Sequence, residues 1–423
     1  MKKLKTHDIG VIGLGYVGLP VAVSMSKHNN VIGYDLNSER VMELLENFDR
    51  TREVSSNDLK AAVNLNFSFK MDDLLKCNIY IVAVPTPITL ENKPDLRPLE
   101  QACELVARCL AKGDIIIFES TVYPGCTENY CVPIIERISN LKLNKDFSVG
   151  YSPERINPGD NINKFENITK VVSASDIHSL KIIENLYAQV VHAGVYCAPS
   201  IRVAEAAKVL ENTQRDINIG LINEVSYLFD EMGIDTKEVL EAAKTKWNFL
   251  DFQPGLVGGH CIGIDPYYLA FAAETHNIKA NIILTARETN NNVPNRIIAK
   301  ANKMLINRNS NKTQFKILIL GRTFKENCPD LRNSKVGDLV SGFIKADHIV
   351  DTYDPISSHE RFHPKENVLT KLIKNDYDLI ILAVAHKQFV TSSVRELRML
   401  SNIDCLFFDL KSIFEIFEAD FRL

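Results

Sequence analysis

No Cys-x-x-Cys pair occurs among the nine cysteines, an odd number spread along 423 residues. A disulfide framework and a structural zinc site are both disfavoured, no metal site is expected, and a reducing cytoplasm is the expected compartment. Neither sign of charge dominates. With 49 basic and 53 acidic residues the net charge is −4, which gives no global attraction to nucleic acid or an anionic membrane. Glycine (19) and proline (16) are too few for a fibrous or disordered chain. Long uncharged runs are scarce. The one of note, Ile9 to Ser26, follows Lys2, Lys3 and Lys5 as a secretory signal would. Gly10, Gly13, Gly15, Gly18 and Pro20 interrupt it, which weakens an apolar helix but suits a strand, a tight turn and a helix start. No membrane span is expected.

The length exceeds one core, so two or three domains are expected. Short apolar segments fill the first half: Asp8–Ile12, Val31–Asp35, Ile79–Val84, Ile115–Glu119, Phe147–Tyr151 and Val171–Ser173. Amphipathic stretches such as Ser38–Asn47, Leu99–Ala111 and Asp176–Tyr187 lie between them. That alternation predicts a parallel sheet covered on both faces. From Ile201 to Met232 there is no proline and only Gly220, and Val203, Ala207, Leu210, Ile217, Leu221, Val225 and Leu228 recur at helical spacing. One helix of roughly thirty residues, about 45 Å long, is predicted there. A second helix is predicted over Ile278–Ile306, and the pair forms a natural dimer surface. After the polar linker Arg308–Gln314, strand signals return at Phe315–Leu320, Ile349–Tyr353, Asp378–Val384 and Cys405–Phe408, without an obvious sequence repeat of the first half. The expected architecture is α/β: two Rossmann-like doubly wound parallel-sheet domains (residues 1–199 and 308–423) joined by a central all-helical domain (200–307).

Gly13-Leu14-Gly15-Tyr16-Val17-Gly18 follows the first strand and opens a helix. The first glycine suits the tight turn, the second lets backbone approach a pyrophosphate, and the third lets helix pack on strand. Asp35 ends the second strand twenty residues after Gly15, where an acid accepts from both ribose hydroxyls and repels a 2′-phosphate. NAD is therefore the expected cofactor, although Arg40 lies one helical turn beyond. Val84-Pro85-Thr86-Pro87 and Glu119-Ser120-Thr121 place hydroxyls at the carboxyl edge of the sheet, either as loop caps or as ligand contacts.

Gly258-Gly259-His260-Cys261-Ile262-Gly263-Ile264-Asp265-Pro266 is the most unusual segment. Cysteine is commonly a small buried hydrophobe, which fits Cys77, Cys103, Cys109, Cys197 and Cys405 on apolar strands and helices. Cys261, in a glycine-rich polar setting, reads instead as a nucleophile. A thiol beside NAD has a specific use. It converts an aldehyde into a thiohemiacetal from which a second hydride can leave, and the resulting thioester is hydrolysed by water. The developing oxyanion needs cations or donors nearby. Lys208 and Asn212 lie four apart on one helix face, with Val203, Ala206, Ala207, Val209 and Leu210 around Lys208. A solvated surface charge and an oxyanion partner are both compatible with that position.

The ordered motifs IGLGYVGLP (12–20), VAVPTP (82–87), EST (119–121), SPE (152–154), KVLENT (208–213), GGHCIGIDP (258–266) and GRTFKENCPDLRNSK (321–335) make the chain resemble the UDP-glucose/GDP-mannose dehydrogenase family. Its members are NAD-dependent four-electron 6-dehydrogenases of nucleotide sugars, and the resemblance runs from Asp8 to Asp409. It implies that Cys261 is the nucleophile and that Lys208, Asn212 and Asp265 manage the oxyanion and the hydrolytic water. Thr121 and Glu154 match residues that order water and protons. Gly13, Gly15, Tyr16, Val17, Gly18, Asp35, Arg40, Val84, Thr86 and Thr121 fall at NAD-contacting positions, and Arg332 at one that reaches across to the cofactor. Lys325 matches a substrate contact, and Phe252, Gln253, Gly255 and Gly258 belong to a loop that wraps the sugar nucleotide, with Glu154, Arg155, Lys208 and Asn212 also on the substrate. The resemblance further implies a dimer through the central helix.

The chain departs from the PEFLxE pattern of UDP-glucose enzymes, reading Pro153-Glu154-Arg155-Ile156-Asn157-Pro158. That version is similar to the branch acting on UDP-N-acetylhexosamines, which feeds capsule and O-antigen synthesis. UDP-N-acetylglucosamine or UDP-N-acetylgalactosamine is thus expected ahead of UDP-glucose or UDP-N-acetylmannosamine. A two-electron β-hydroxyacid dehydrogenase would need neither the cysteine nor the third domain. A non-catalytic sugar-nucleotide binder would not need Cys261 or Lys208.

Overall fold

The computed structural model describes residues 7–156, 165–357, 359–401 and 404–423. Lys2, Lys3 and Lys5 of the basic leader, and Asn157 and Pro158 of the PERxxP motif, lie outside the described residues. The chain forms two compact units, Met1–Glu211 with Tyr267–Lys279, and Asn212–Pro266 with Ala280–Leu423.

Eight strands build the first unit: β1 (Asp8–Ile12), β2 (Asn30–Tyr34), β3 (Leu65–Ser68), β4 (Ile79–Val82), β5 (Ile115–Phe118), β6 (Ser148–Tyr151), β7 (Lys170–Ala174) and β8 (Val195–Cys197). Their order is β3-β2-β1-β4-β5-β6-β7-β8. Every residue of β4 and β5 is buried, because helices cover both faces of a parallel sheet. The winding reverses between β1 and β4, and ligands of such sheets bind at that edge. One strand departs from the expected parallel pattern: β7 runs antiparallel to β6. A parallel return needs a long crossover, and the described part of the connection holds only the short turn Phe165–Asn167.

In the second unit six all-parallel strands follow the same winding: β9 (Lys316–Leu320), β10 (Ile349–Tyr353), β11 (Asn367–Leu369), β12 (Leu379–Leu382), β13 (Leu406–Asp409) and β14 (Phe421–Arg422), ordered β11-β10-β9-β12-β13-β14.

The predicted long helix spans Ile201–Met232, and the second runs over Asn281–Arg308. The buried face of the long helix is mixed, with Ile201, Ala204, Val209 and Ile222 beside a large polar share. Its buried positions include Glu205, Lys208, Asn212, Thr213, Asp216, Asn223 and Ser226, whereas Val203, Leu210, Leu221 and Leu228 are 45–58 % exposed. Asn212 bonds to Asp265 and Asp216 to Arg287, and those bonds lead to the candidate site.

Candidate active site

The glycine-rich turn fits a dinucleotide on steric grounds. Gly13 takes a φ of +91°, and a Cβ there would lie 2.8 Å from the Ala83 carbonyl oxygen. A Cβ on Gly18 would sit 1.8 Å from the Gly13 carbonyl oxygen, so helix and strand meet only through glycine. Gly15 differs: a Cβ there would meet nothing within 4 Å, leaving the open space that a pyrophosphate would take. The helix Gly18–Met25 has no side-chain cap, so no side chain competes with an anion for its N-terminal end. Beside them the Asp35 carboxylate accepts from the amides of Leu14 (2.8 Å) and Asn37 (2.9 Å), which aims a half-buried acid along the turn. Arg40 is used internally. Its guanidinium donates to the Leu14 carbonyl (2.9 Å) and to buried Asp49 (2.7 Å), supporting the turn from beneath. Thr86 and Thr121 are half-buried at the ends of the β4 and β5 loops, and the Tyr268 hydroxyl steadies the former by donating to the carbonyls of Thr86 (3.0 Å) and Pro87 (3.1 Å).

Glu154 belongs to a buried network that sequence spacing does not reveal. The Lys170 ammonium donates to Glu119 (2.9 Å) and Glu154 (2.8 Å), and Tyr187 donates to the other oxygen of Glu119. Burial works against the Lys170 cation, but the two carboxylates outweigh it and hold its pKa above the ordinary lysine value. Burial likewise pushes the Glu119 carboxyl upward against the pull of Lys170. The second Glu154 oxygen accepts from the amides of Arg155 (2.7 Å) and Ile156 (2.8 Å). Arg155 itself grips Glu211 through two nitrogens (2.8 and 3.1 Å) and donates to the Thr169 carbonyl, which ties the SPE loop to the long helix.

In the second unit, the Cys261 carbonyl accepts from the amides of Ile264 (3.0 Å) and Asp265 (2.8 Å), closing a turn into the helix Asp265–Thr275. Cys261 is half-buried, whereas Cys77, Cys103, Cys109 and Cys405 are buried and Cys197 partly so. Asn212 donates to Asp265 at 2.5 Å, so two predicted site residues are joined directly. The glycines before Cys261 let the loop lie against the 322–335 segment. A Cβ on Gly258 would meet the Asn333 carbonyl oxygen at 2.6 Å, and one on Gly259 the Phe324 ring at 2.8 Å. His260 lies edge-on to Phe324 and 3.6 Å from Asp330, which pairs with Arg332 at 2.8 Å. Burial, then the Arg332 charge, push the His260 imidazole below its ordinary range against the pull of Asp330. Lys325 is half-buried in the turn that follows β9.

Spacing also missed the residues that hold this loop. Asn223 clamps Gly255 at both backbone groups (3.0 and 2.7 Å) and donates to Asn290. Arg287, fully buried, pairs with Asp216 at 2.7 Å and reaches the Ile262 carbonyl at 3.5 Å. Asparagines on a helix carry no motif; their only signal is being polar on what becomes the inner face. Phe252 is half-buried and Gln253 exposed, the latter donating to Asp251.

Three family models match in order: the NAD binding domain of the UDP-glucose/GDP-mannose dehydrogenase family over residues 7–191, its central domain over 202–292 and its UDP binding domain over 318–416. The chain belongs to that family. The dehydrogenase is an NAD-dependent oxidoreductase, and the turn described above is where its own residues fit the cofactor. It is similar over its whole length to a UDP-N-acetyl-D-glucosamine 6-dehydrogenase of Pseudomonas aeruginosa, with 47 % identity and 100 % of each chain covered. A protein of the same name from Salmonella typhi is 45 % identical, with 98 % of each chain covered. Among solved structures, a UDP-D-ManNAc dehydrogenase from Pyrococcus horikoshii superposes with a TM-score of 0.88 at 28 % identity, covering 98 % of each chain.

Proposed function

We propose that the dehydrogenase oxidises the carbon-6 alcohol of UDP-N-acetyl-D-glucosamine to the carboxylate, with two NAD reduced per sugar. The observation that carries the chemistry is the turn at Cys261, which ends in Asp265 bonded to Asn212. Full-length similarity to two enzymes named for this substrate, and the PER and GGHCIGIDP motifs, support the choice of sugar.

NAD, when bound, accepts one hydride in each of two oxidations. The chain supplies the rest. The Cys261 thiolate adds to the carbon of the aldehyde, closing a C–S bond and leaving negative charge on the former carbonyl oxygen. Lys208 and Asn212, on one helix face, stabilise that oxygen, and loss of the second hydride from the same carbon gives a thioester. Water then adds to the thioester, the C–S bond breaks, and the acid leaves with Cys261 restored. Asp265 and Thr121 handle the water and its proton. Glu154 acts from a fixed position: three donors occupy its carboxylate, leaving capacity for one further donor, a water.

The same reading assigns residues 1–199 to NAD, 200–307 to the central helices and 308–423 to the UDP-sugar. The exposed apolar row Val203, Leu210, Leu221 and Leu228 is assigned to a homodimer contact through the long helix, since apolar area of that kind is stabilised by burial against a partner. The nine free thiols fit a cytoplasmic enzyme. The test is the NADH yield at completion with limiting UDP-N-acetylglucosamine, UDP-N-acetylgalactosamine and UDP-glucose. Two NADH per UDP-N-acetylglucosamine is expected. One NADH per sugar would mean aldehyde release and would remove the role given to Cys261, and turnover of UDP-glucose alone would remove the substrate assignment.

A further inference from the structure

The two sheets are related residue by residue in a way the sequence hides. Gly13 and Gly321 follow the first strand of each sheet, with φ of +91° and +85°. Their amides donate to Tyr34 and Tyr353, both at 2.8 Å. The amide of Ala83 returns to Ile12 at 2.8 Å, and that of Ala383 to Leu320 at 2.9 Å. Finally, the Leu14 amide donates to Asp35 Oδ2 (2.8 Å), and the Arg322 amide to Asp354 Oδ2 (2.6 Å). Counting from the alanines, Thr86 corresponds to His386. The second sheet therefore carries its own Asp at the ribose position and a histidine at the position of a ligand-side threonine.

These counterparts have a different occupation. Asp35 is half-buried, whereas Asp354 is 6 % exposed and saturated. Its Oδ1 accepts from Ile356 and Ser357 (2.9 Å each), and its Oδ2 accepts from Arg322, Thr323 (3.3 Å) and His386 Nε2 (2.9 Å). No acceptor capacity remains for a ribose hydroxyl. His386, with no exposure, accepts the Asn327 amide at Nδ1 (3.0 Å), so its proton sits on Nε2 and faces Asp354. The Thr323 hydroxyl lies 3.2 Å from the same Nε2 and donates to the Lys325 carbonyl (2.8 Å). Arg322, Thr323, Lys325 and Asn327 are thus all held, directly or through Thr323, by one Asp–His pair.

We propose that Asp354 and His386 are positioning residues for nucleoside-diphosphate binding: they set the turn Arg322–Asn327 so that Lys325 is presented to the diphosphate. This rests on the proposed UDP-sugar substrate for the identity of the ligand. The general point is chemical. A repeat of the dinucleotide fold keeps its acid, and converts it from a contact with ligand into the anchor of a loop.

The test uses the full-length enzyme and UDP itself as probe, with NAD as the internal control, in titration calorimetry. His386→Leu is expected to weaken UDP by about tenfold, the size of one lost buried charge-assisted bond, with NAD affinity within about twofold of wild type. His386→Gln, which keeps a donor toward Asp354, is expected to recover most of the loss. In kinetics the KM for the UDP-sugar rises with the UDP Kd while kcat changes little. If His386→Leu does not fold, Thr323→Val decides: it deletes only the hydroxyl bonds and should still weaken UDP severalfold. UDP affinity unchanged in a folded His386→Leu or Thr323→Val, or NAD affinity lost in parallel, overturns the proposal. UDP binding does not depend on which sugar is oxidised, so a wild-type enzyme that binds UDP but ignores UDP-N-acetylglucosamine would sink only the substrate reading.

Discussion

Asn212 Nδ2 donates to Asp265 Oδ2 at 2.5 Å, and both side chains are buried. One end of this bond belongs to the KVLENT helix and the other to the residue that closes the Cys261 turn. The Asn212 amide carries a second N–H, the donor type that steadies an oxyanion, while Asp265 brings the carboxylate that suits directing water.

Asp265→Asn tests that division of labour. The amide keeps the shape but loses the charge that activates water, so both hydride losses should proceed and hydrolysis should fall by about a hundredfold. The measurement is acid-quenched mass spectrometry during turnover. Protein carrying the acyl group as a thioester is expected, and an enzyme that stays unmodified while slowed would place Asp265 outside hydrolysis.

Two neighbouring glycines should fail differently. Gly15→Ala meets no atom within 4 Å, so the protein should melt like wild type while NAD binds at least about tenfold more weakly. Gly18→Ala would place a Cβ 1.8 Å from the Gly13 carbonyl, and the unit itself should be destabilised. Comparing melting temperatures with NAD affinity for the two variants separates a ligand cradle from a packing constraint. Unaltered NAD affinity in Gly15→Ala would move the pyrophosphate elsewhere.

Glu205 makes stability depend on pH. Its carboxylate has no exposure and accepts from the amides of Gly125 and Thr127, yet burial outweighs those bonds and pushes its pKa up to about 7. A folded-state value above the unfolded one means that the folded protein holds the proton more tightly. The resulting stability is full below the unfolded value near 4.5 and is lost as pH rises through 7, on the order of 3 kcal/mol at most. Glu205→Gln should flatten this slope. Urea unfolding between pH 5 and pH 8 checks it, and a wild-type curve that rises over that span would contradict the sign.

Leu221→Glu and Leu228→Glu alter side chains 57 % and 53 % exposed, so each single chain should still fold. If the apolar row is a subunit contact, either variant should shift the enzyme toward monomer in light scattering, because a carboxylate in such a contact is costly to desolvate. Unchanged mass would put the dimer contact on another surface.

How much of this was legible beforehand differs by residue. The strands Asp8–Ile12 and Ile349–Tyr353 and the helix Ile201–Met232 occur at their expected bounds, since apolar runs and helical spacing are properties of near neighbours. The long helix shows where that logic stops. An apolar row is visible in its sequence, but a row does not say which face is inside: Val203, Leu210, Leu221 and Leu228 are exposed while Lys208, Asn212 and Asp216 are buried. Lys170, Asn223 and Arg287 carried no signal, because each matters only through a partner far along the chain.

The sequence by itself determined the alternation of strands and helices in the first half, the glycines at the turn, the acid after β2 and the cysteine between glycine and aspartate. These are requirements of backbone conformation and of chemistry carried by single residues or short windows. Tertiary structure alone decided that Lys170 bridges Glu119 and Glu154, that Arg155 grips Glu211, and that His386 faces Asp354 at 2.9 Å. Such pairings depend on which strand ends the topology brings to one edge, and the free energy of a buried charge depends on the partner it finds there.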